Sequence, residues 1–261
     1  MLPLLLSGIP WDRKSSFLQG PALAPGRIRA TLHNGSGNNW TELGFDPLTH
    51  PLFRDGGDFL VNDYWDIESE ADKRLAEGVR LLSLGGDHSV TYPLIRAYRR
   101  HFEPFSILHI DAHGDLYDNY EGDRYSHACP FARIMEEGLA QRLVQVGIRT
   151  LTPHLREQAK RVGVEIFEMK DIQGVPDIHL EGPVYISLDL DGLDPAFAPG
   201  VSHHEPGGLS SRQVLDIIHR IQVPIIGADI VEYNPHRDVS DMTAALAAKL
   251  LKEIAGKMLG G

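Results

Sequence analysis

Two carboxylates and an imidazole lie close together in the middle of the chain, at Asp111, His113 and Asp115. They directly follow a mostly apolar run at residues 107–110, which has the length and bulk of a buried strand. Because successive side chains of an extended chain alternate in direction, a spacing of two places all three on one side. Carboxylate oxygens and imidazole nitrogens in such a cluster are typical of a metal site. The alternative is a solvated turn in which these residues meet by chance.

Three more apolar runs, at residues 81–84, 184–188 and 224–228, also end in acids or histidines. The residues that follow these runs are His88, Asp189, Asp191, Asp229 and Glu232. In an open parallel sheet, ligands bind outside the carboxyl ends of the strands. A chance clustering on four separate strands is a poor explanation, so the combined pattern favours a metal site.

The candidate metal ligands supply carboxylate oxygens and imidazole nitrogens. They are His88, Asp111, His113, Asp115, Asp189 and Asp191. Four carboxylates in one cleft would repel one another and raise each other's pKa values, whereas two divalent cations would neutralise them. Oxygen-rich sites with a few imidazoles suit Mn²⁺ better than zinc, which favours thiolates. Because a two-metal site with ions ~3.5–4 Å apart can hold and ionise one water molecule, the predicted reaction is hydrolysis.

His127 and Glu232 are candidates for proton transfer and substrate binding. His127 lies twelve residues beyond Asp115, at the predicted start of a helix. It could pass a proton to a leaving amine, because the unperturbed pKa of imidazole lies near neutrality. Glu232 follows a strand and could pair with a cationic substrate. The alternatives are a surface histidine and a structural ion pair. Asp229, close to Glu232, is interpreted as a residue behind the metal ligands.

The adjacent histidines His203 and His204 and the single cysteine, Cys129, are weaker candidates. Neighbouring side chains of an extended segment point apart, so we interpret the two histidines as structural or substrate-facing, not as a metal-binding pair. Cys129 is interpreted as a small, partly buried side chain, because nothing else in the sequence supports a catalytic thiol. A single cysteine also excludes an intrachain disulfide, which fits a reducing compartment.

Composition places the chain among ordinary globular proteins. Of its 261 residues, 42% are hydrophobic and 23% are charged. The net charge of -11 argues against nucleic acid as a partner. No apolar run approaches the ~20 residues of a membrane span. The apolar residues 1–10 lack the basic start and the cleavage site of a signal peptide, so they are predicted to form the first strand. We therefore expect a cytoplasmic protein without a membrane partner.

Strand-like and helix-like segments alternate along the chain, which predicts one α/β domain over residues 1–261 with a mostly parallel sheet. The predicted strands are residues 2–6, 81–84, 105–110, 143–148, 164–168, 184–188 and 224–228. The predicted helices are residues 27–32, 69–78, 89–102, 126–138, 152–162, 210–221 and 240–258. Residues 46–58, rich in Pro, Gly and Asp, are predicted to be irregular, and residues 194–208 to form a long ordered loop.

Several motifs resemble those of the ureohydrolases, the family of arginases and agmatinases. Four motifs carry the resemblance to the whole family: Gly-Gly-Asp-His-Ser at residues 85–89, Asp-Ala-His-Gly-Asp at 111–115, Ser-Leu-Asp-Leu-Asp at 187–191 and Asp-Pro-Ala-Phe-Ala-Pro-Gly at 194–200. Five others are most similar to arginases of the plant type: Ser-Phe-Leu-Gln-Gly-Pro at 16–21, Tyr-Ser-His-Ala at 125–128, Gly-Val-Ser-His at 200–203, Glu-Pro-Gly-Gly-Leu at 205–209 and Val-Glu-Tyr-Asn-Pro at 231–235. Together they span nearly the whole chain.

The resemblance implies a three-layer α/β/α fold around an eight-stranded parallel sheet, with two Mn²⁺ ions per chain. By position, Asp111 and Asp189 would bridge the ions. The remaining ligands would be His88 and Asp115 for one ion, and His113 and Asp191 for the other. His127 would match the proton-shuttling histidine of the family, and Glu232 the carboxylate that pairs with a guanidinium group. The family also implies a homo-oligomer, a trimer or a hexamer.

The activity implied by the resemblance is hydrolysis of a small cationic guanidino compound with release of urea. L-arginine would give ornithine, and agmatine would give putrescine; the plant-type motifs favour arginine. The alternatives are an agmatinase, a hydrolase of another guanidino acid or of formimidoylglutamate, and a metal-binding protein that kept the fold without the chemistry. Residues at the mouth of the site would determine which of these substrates binds. The candidates there are residues 117–126, including Asn119, Arg124 and Tyr125, and the loop around His203 and His204.

Overall fold

Eight strands form the sheet of the computed structural model, which describes residues 1–260. They are β1 (Leu4–Gly8), β2 (Phe53–Asp58), β3 (Arg80–Leu84), β4 (Ser106–Ile110), β5 (Arg142–Ile148), β6 (Glu165–Glu168), β7 (Val184–Asp189) and β8 (Ile225–Val231). Every neighbouring pair is parallel, and the order across the sheet is β2-β1-β3-β8-β7-β4-β5-β6. The predicted α/β fold with an eight-stranded sheet is confirmed, and the sheet is parallel throughout.

Seven α-helices cover the two faces of the sheet. They are α1 (Ala24–His33), α2 (Asp66–Leu75), α3 (Thr91–His101), α4 (Pro130–Glu136), α5 (Pro153–Val162), α6 (Ser211–Arg220) and α7 (Met242–Met258). Buried side chains of α1, α6 and α7 form one apolar cluster, and those of α2 to α5 form another. Alternate residues of β4 enter the two clusters, Leu108 the first and Ile107 the second. The molecule therefore has the three layers expected of a sheet that is buried on both faces.

The strands that carry the candidate ligands are neighbours. β3, β8, β7 and β4 lie side by side in the middle of the sheet. Because all four are parallel, their carboxyl ends open onto the same edge. The connection from β3 to β4 passes over β8 and β7, and such crossovers leave a crevice at the strand ends in which ligands bind. The topology thus brings residues from four distant parts of the sequence to one place.

Two local predictions were wrong. Within the stretch predicted to be irregular, Phe53–Asp58 forms the edge strand β2 and pairs with β1. Its side chains are mostly exposed, so the sequence lacks the alternation of apolar and polar residues that would predict a strand, and the backbone alone makes the pairing. The fourth helix begins at Pro130, not at residue 126, since a proline is well suited to the first helical turn. His127 therefore lies in the loop before α4.

None of the helices within residues 1–260 combines the length and the apolar character that crossing a membrane requires.

Candidate active site

The six candidate ligands converge at the carboxyl ends of the central strands. A cavity of about 180 Å³ opens there, and its walls include His113, Asp115, Asp189, Asp191 and Glu232. His88, which is buried, lies beneath the cavity with its Nδ1 atom 3.1 to 3.2 Å from carboxylate oxygens. The structure therefore places these side chains together at one rim of the sheet, as the sequence predicts.

Three carboxylates surround the imidazole of His88. Its Nδ1 atom is 3.1 Å from Oδ2 of Asp111, 3.2 Å from Oδ2 of Asp115 and 3.1 Å from Oδ2 of Asp189. The Nδ1 atom nevertheless has no hydrogen-bond partner of acceptable geometry within residues 1–260. Burial lowers the pKa of His88, but the three carboxylates outweigh burial and raise this pKa well above its ordinary value.

The hydrogen bonds behind His88 define which of its nitrogens carries the proton. Ser187 Oγ donates to Oδ1 of Asp229 at 2.7 Å, and Asp229 also accepts from the hydroxyls of Tyr185 and Thr91. Because the Ser187 proton is used in this way, Ser187 Oγ accepts from Nε2 of His88, 2.9 Å away. The raised pKa means that the metal-free ring takes up a proton at its remaining nitrogen, Nδ1. In the neutral ring, Nδ1 presents a lone pair to the same point as the three carboxylate oxygens, which is the arrangement that a bound cation requires.

A second group of donor atoms adjoins the first. Nδ1 of His113 lies 3.1 Å from Oδ2 of Asp191 and 3.4 Å from Oδ1 of Asp111. Asp111 is common to both groups, with one oxygen facing His88 and the other facing His113. Donor atoms of Asp111, His113 and Asp191 lie within 4.8 Å of one another, a spacing that could hold a metal ion. The chain therefore offers two adjoining sets of donors that fit divalent cations.

The predicted rise in pKa holds for Asp189 and Asp191 but not for Asp111, whose pKa is held well below its ordinary value by neighbouring histidines although burial opposes this. Burial is the main cause of the raised pKa values of Asp189 and Asp191, and the charge of Asp111 adds to it. The pKa of Asp189 lies well above its ordinary value and that of Asp191 is raised to about 6. Nearby cations would remove this penalty, since opposite charges favour the ionised carboxylate.

Backbone amides hold the ligand side chains in place. Oδ1 of Asp111 accepts from the amide of His113 at 2.6 Å, and Oδ1 of Asp189 accepts from the amide of Asp191 at 2.7 Å. Asp115 has φ of 49° and Glu232 has φ of 62°, both in the left-handed region that residues other than glycine rarely adopt. Such strained backbone persists where surrounding structure enforces it, and it clusters at functional sites.

His109 is a site residue that the sequence did not reveal. It lies on β4, two residues before Asp111, and is fully buried. Its Nδ1 accepts from Nε2 of Gln145 on the neighbouring strand at 3.0 Å, so its Nε2 donates to Oδ2 of Asp111 at 2.7 Å. Burial lowers the pKa of His109, in keeping with a neutral ring. The only sequence signal was a histidine inside a buried strand, on the same face as Asp111.

His127 and Glu232 form a pair in the wall of the cavity. Nδ1 of His127 lies 2.8 Å from Oε1 of Glu232, which also accepts from the amide of His88 at 2.9 Å. Burial lowers the pKa of His127, but the charge of Glu232 raises it to about 9. Burial raises the pKa of Glu232, yet His127 brings it below its ordinary value. On the other side of the ring, Nε2 lies 3.1 Å from the amide and 2.8 Å from Oγ of Ser16.

The buried carboxylate of Asp87 holds the loop that carries Ser16. Its Oδ2 accepts from the amide of Lys14 at 2.9 Å and from Oγ of Ser15 at 3.3 Å. Its Oδ1 accepts from the amide of Ser89 at 3.1 Å. The residue next to the candidate ligand His88 thus also fixes the loop that reaches His127.

The remaining candidates take different positions. His203 lines the cavity, whereas His204 turns away and donates from Nε2 to the carbonyl of Pro199 at 2.7 Å, so the two histidines point apart as expected. Cys129 is buried, and burial raises the pKa of its thiol to about 12, which fits a structural residue. Arg124 lies 3.8 Å from Glu136, outside the walls of the cavity.

Two further candidates for the mouth also lie outside the cavity walls. Asn119 accepts from the amide of Gly122, and Tyr125 stacks on Tyr92 with ring centroids 5.9 Å apart. Tyr117 and Tyr120, from the same loop, do line the cavity. The expectation that residues 117–126 border the mouth therefore holds for these two tyrosines, and not for the three residues singled out.

Known proteins share both the sequence and the fold. Residues 3–256 match the family model described as Arginase family. "Arginase 1, mitochondrial" of Arabidopsis thaliana is 50% identical over 274 residues, which cover 97% of this chain and 80% of that protein. "N(1)-aminopropylagmatine ureohydrolase" of Thermus thermophilus is 46% identical over 188 residues, covering 69% and 64%. The solved structure of arginase from Medicago truncatula superposes with a TM-score of 0.91 at 43% identity, covering 98% of this chain and 87% of that one.

Proposed function

The chain belongs to the arginase family of metal-dependent hydrolases, and from that premise we propose that it cleaves L-arginine, with agmatine as the rival substrate. Water adds to the guanidinium carbon, the bond to the alkyl-bearing nitrogen breaks, and urea and an amine leave. The observation that carries the proposal is the meeting of two donor sets with the His127–Glu232 pair in a single cavity.

The donor sets suit two Mn²⁺ ions. His88, Asp115 and Asp189 would hold one ion and His113 and Asp191 the other, with Asp111 reaching both sets. When bound, the ions lower the pKa of a coordinated water molecule and so supply the nucleophile. The orphaned Nδ1 atom of His88, which faces three carboxylate oxygens, supports this assignment.

Glu232 binds the guanidinium group in this proposal. Its Oε1 is already occupied by the amide of His88 and by His127. No hydrogen bond within residues 1–260 uses Oε2, and the side chain lines the cavity, so Oε2 is the atom that accepts guanidinium N–H groups. The low pKa of Glu232 keeps it ionised at neutral pH, as a partner for a cation must be.

His127 moves the proton. Glu232 holds its Nδ1, and the pKa of about 9 keeps the ring protonated at neutral pH. Nε2, which accepts from the amide of Ser16 in this structure, gives a proton to the nitrogen of the leaving amine once the ring has turned away from that amide. Ser16, whose Oγ is 2.8 Å from Nε2, aligns this side of the ring. General acids of this kind typically contribute ~10²–10⁴-fold to the rate.

An inactive metal-binding protein is the less favoured alternative. It predicts loss of a ligand, of the proton-transferring histidine or of the guanidinium partner. All eight candidate residues are present and converge, which supports an enzyme. A hydrolase of formimidoylglutamate, whose two carboxylates are not offset by an ammonium group, is also disfavoured, because five acids and no Lys or Arg line the described walls of the cavity.

Urea release tests the proposal. The protein is loaded with Mn²⁺, its metal content is measured, and kcat/KM is compared for L-arginine and agmatine under identical loading. We expect two Mn²⁺ per chain and hydrolysis of arginine. A much higher kcat/KM for agmatine would make the arginine assignment wrong and leave the hydrolase class intact.

We further propose a single domain over the whole chain, a homo-oligomer, trimer or hexamer, and a cytoplasmic location. The continuous eight-stranded sheet supports the first of these. The second is what the resemblance of the sequence motifs to ureohydrolases implies, and light scattering of the purified protein would give the number of subunits. The Arabidopsis relative is named as mitochondrial, so fractionation of the source cells is the test of the third.

A further inference from the structure

Glu205 is the one carboxylate in the described cavity wall whose charge is not engaged by another residue. The other acids of the wall already have imidazole partners: Asp115 and Asp189 face His88, Asp191 faces His113, and Glu232 faces His127. Within residues 1–260, only the backbone carbonyl of Glu205 makes a hydrogen bond, and its carboxylate makes no ion pair. An acid held at a cavity wall without a counter-charge can accept a cation from a ligand.

The backbone of Glu205 is fixed relative to the candidate ligands. Arg149, just after β5, donates from Nε and Nη2 to the carbonyl of Glu205, at 2.8 and 2.5 Å. The same Nη2 donates to the carbonyl of Asp191 at 2.7 Å. The guanidinium of Arg149 thus donates to backbone carbonyls of both loops, and it holds the loop that carries Glu205 against the segment that carries Asp191.

Two acids of the cavity are left to face a substrate. The described walls contain five acids and neither Lys nor Arg, and three of the acids, Asp115, Asp189 and Asp191, are proposed metal ligands. Glu232 and Glu205 belong to the same cavity, so a ligand whose guanidinium meets Glu232 extends towards the remaining wall. Tyr117 and Tyr120 also contribute to that wall, and aromatic faces attract cations as well.

From this arrangement we infer that Glu205 binds an ammonium group at the far end of the substrate. The inference rests on the proposed function and narrows its substrate class to guanidino compounds that carry a second, primary or secondary, ammonium group. Agmatine and arginine both qualify, whereas guanidino acids without an amine do not. Since the interaction is the same in the ground state and the transition state, it acts on KM and not on kcat.

The test compares two substrates of equal length in two variants. Pentylguanidine replaces the ammonium of agmatine by a methyl group. Glu205→Gln should raise KM for agmatine about 5- to 20-fold, with kcat and metal content unchanged, and leave pentylguanidine unaffected. The matched control is Glu157→Gln, which removes an exposed charge on α5 and should change neither substrate. Equal effects of Glu205→Gln on both substrates, or none on agmatine, would overturn the inference.

A binding measurement separates this inference from the proposed function. Titration calorimetry with 1,4-diaminobutane needs no hydrolysis, and Glu205→Gln should raise its Kd about 5- to 20-fold. If the metal-loaded wild type released no urea from any guanidino compound, the proposed function would fail, while the diamine titration would still decide the role of Glu205. An unchanged Kd would contradict that role. The reversed charge in Glu205→Arg should weaken diamine binding further and raise kcat/KM for 4-guanidinobutanoate.

Discussion

Nδ1 of His127 lies 2.8 Å from Oε1 of Glu232, and both side chains are almost completely buried. The two residues come from the loop before α4 and from the end of β8, so the pair exists only in the folded protein. Glu232 has φ of 62°, which the amide of Glu232 helps to maintain by donating to the carbonyl of Gly86 at 2.9 Å. The pair raises the pKa of the histidine and lowers that of the acid, although burial opposes both changes. Acid catalysis and cation binding thus depend on the same contact.

Replacing His127 by Asn should lower turnover by ~10²–10⁴-fold, because the variant lacks the acid that protonates the leaving amine. The metal content should stay near that of the wild type, since His127 is not a proposed ligand. Steady-state urea release and metal analysis of the same samples measure both. His33→Asn, an exposed histidine at the end of α1, is the matched control and should keep full activity. Loss of bound metal from the His127 variant would show that its role was assigned wrongly.

The stability contributed by the pair should fall as the pH rises. The pKa of His127 is about 9 in the folded protein and 6.5 without its partners. A raised folded-state pKa means that the contribution is complete below pH ~6.5 and is lost as the pH approaches 9. The difference in unfolding free energy between metal-free wild type and His127→Gln should therefore shrink by at most about 3 kcal/mol across this window. Urea denaturation at several pH values measures it, and a difference that grows with pH would contradict the prediction.

The sequence predicted the central strands and the ligand cluster because both depend on local patterns. The apolar runs before His88, Asp111 and Asp189 were long enough to mark buried strands, and a spacing of two placed acids and histidines on one side. Parallel pairing then required their carboxyl ends to meet. The fold class and the location of the site could thus be predicted from the types and spacing of residues that are close in sequence.

Features that depend on distant contacts were missed. The edge strand β2 has a polar sequence, and its pairing with β1 is made by the backbone. His109 takes its role from Gln145 on the adjacent strand, which sets the tautomer that donates to Asp111. The position of Glu205 depends on Arg149, which donates to its backbone carbonyl. No local period or motif carries such information.

Removing the metal ions should destabilise the protein. Without them, buried carboxylates crowd together, and the raised pKa values of Asp189 and Asp191 reflect the cost of that burial. A ligand that binds only the folded state stabilises it by about 4 kcal/mol at a concentration 1,000 times its Kd. We expect chelation to lower Tm by several degrees and to abolish urea release, and Mn²⁺ to restore both. An unchanged Tm with activity retained would contradict a metal site.

Ser187→Ala should weaken metal binding without removing a ligand. The Ser187 hydroxyl accepts from Nε2 of His88 and donates to Asp229, which directs the lone pair of Nδ1 towards the carboxylates. Loss of such a partner typically costs ~10–100-fold in metal affinity. Competition with a chelating dye measures the affinity. Ser83→Ala, a buried serine on β3, which β8 separates from β7, is the control, because its hydroxyl has no partner within residues 1–260.

Gly86→Ala should disturb the site through the backbone. A Cβ atom at this position would lie 1.6 Å from the carbonyl oxygen of Trp11, which accepts from the amide of Asp87. The segment after Trp11 leads to Ser16 beside His127, so displacing it should lower kcat as well as stability. Overpacking of this kind costs roughly 1–3 kcal/mol, measurable as a shift in the denaturation midpoint. Gly26→Ala is the matched control: nothing lies within 4 Å of its Cβ, and an alanine inside α1 should stabilise by about 0.5–1 kcal/mol. Equal stabilities of the two variants would contradict the contact between Gly86 and Trp11.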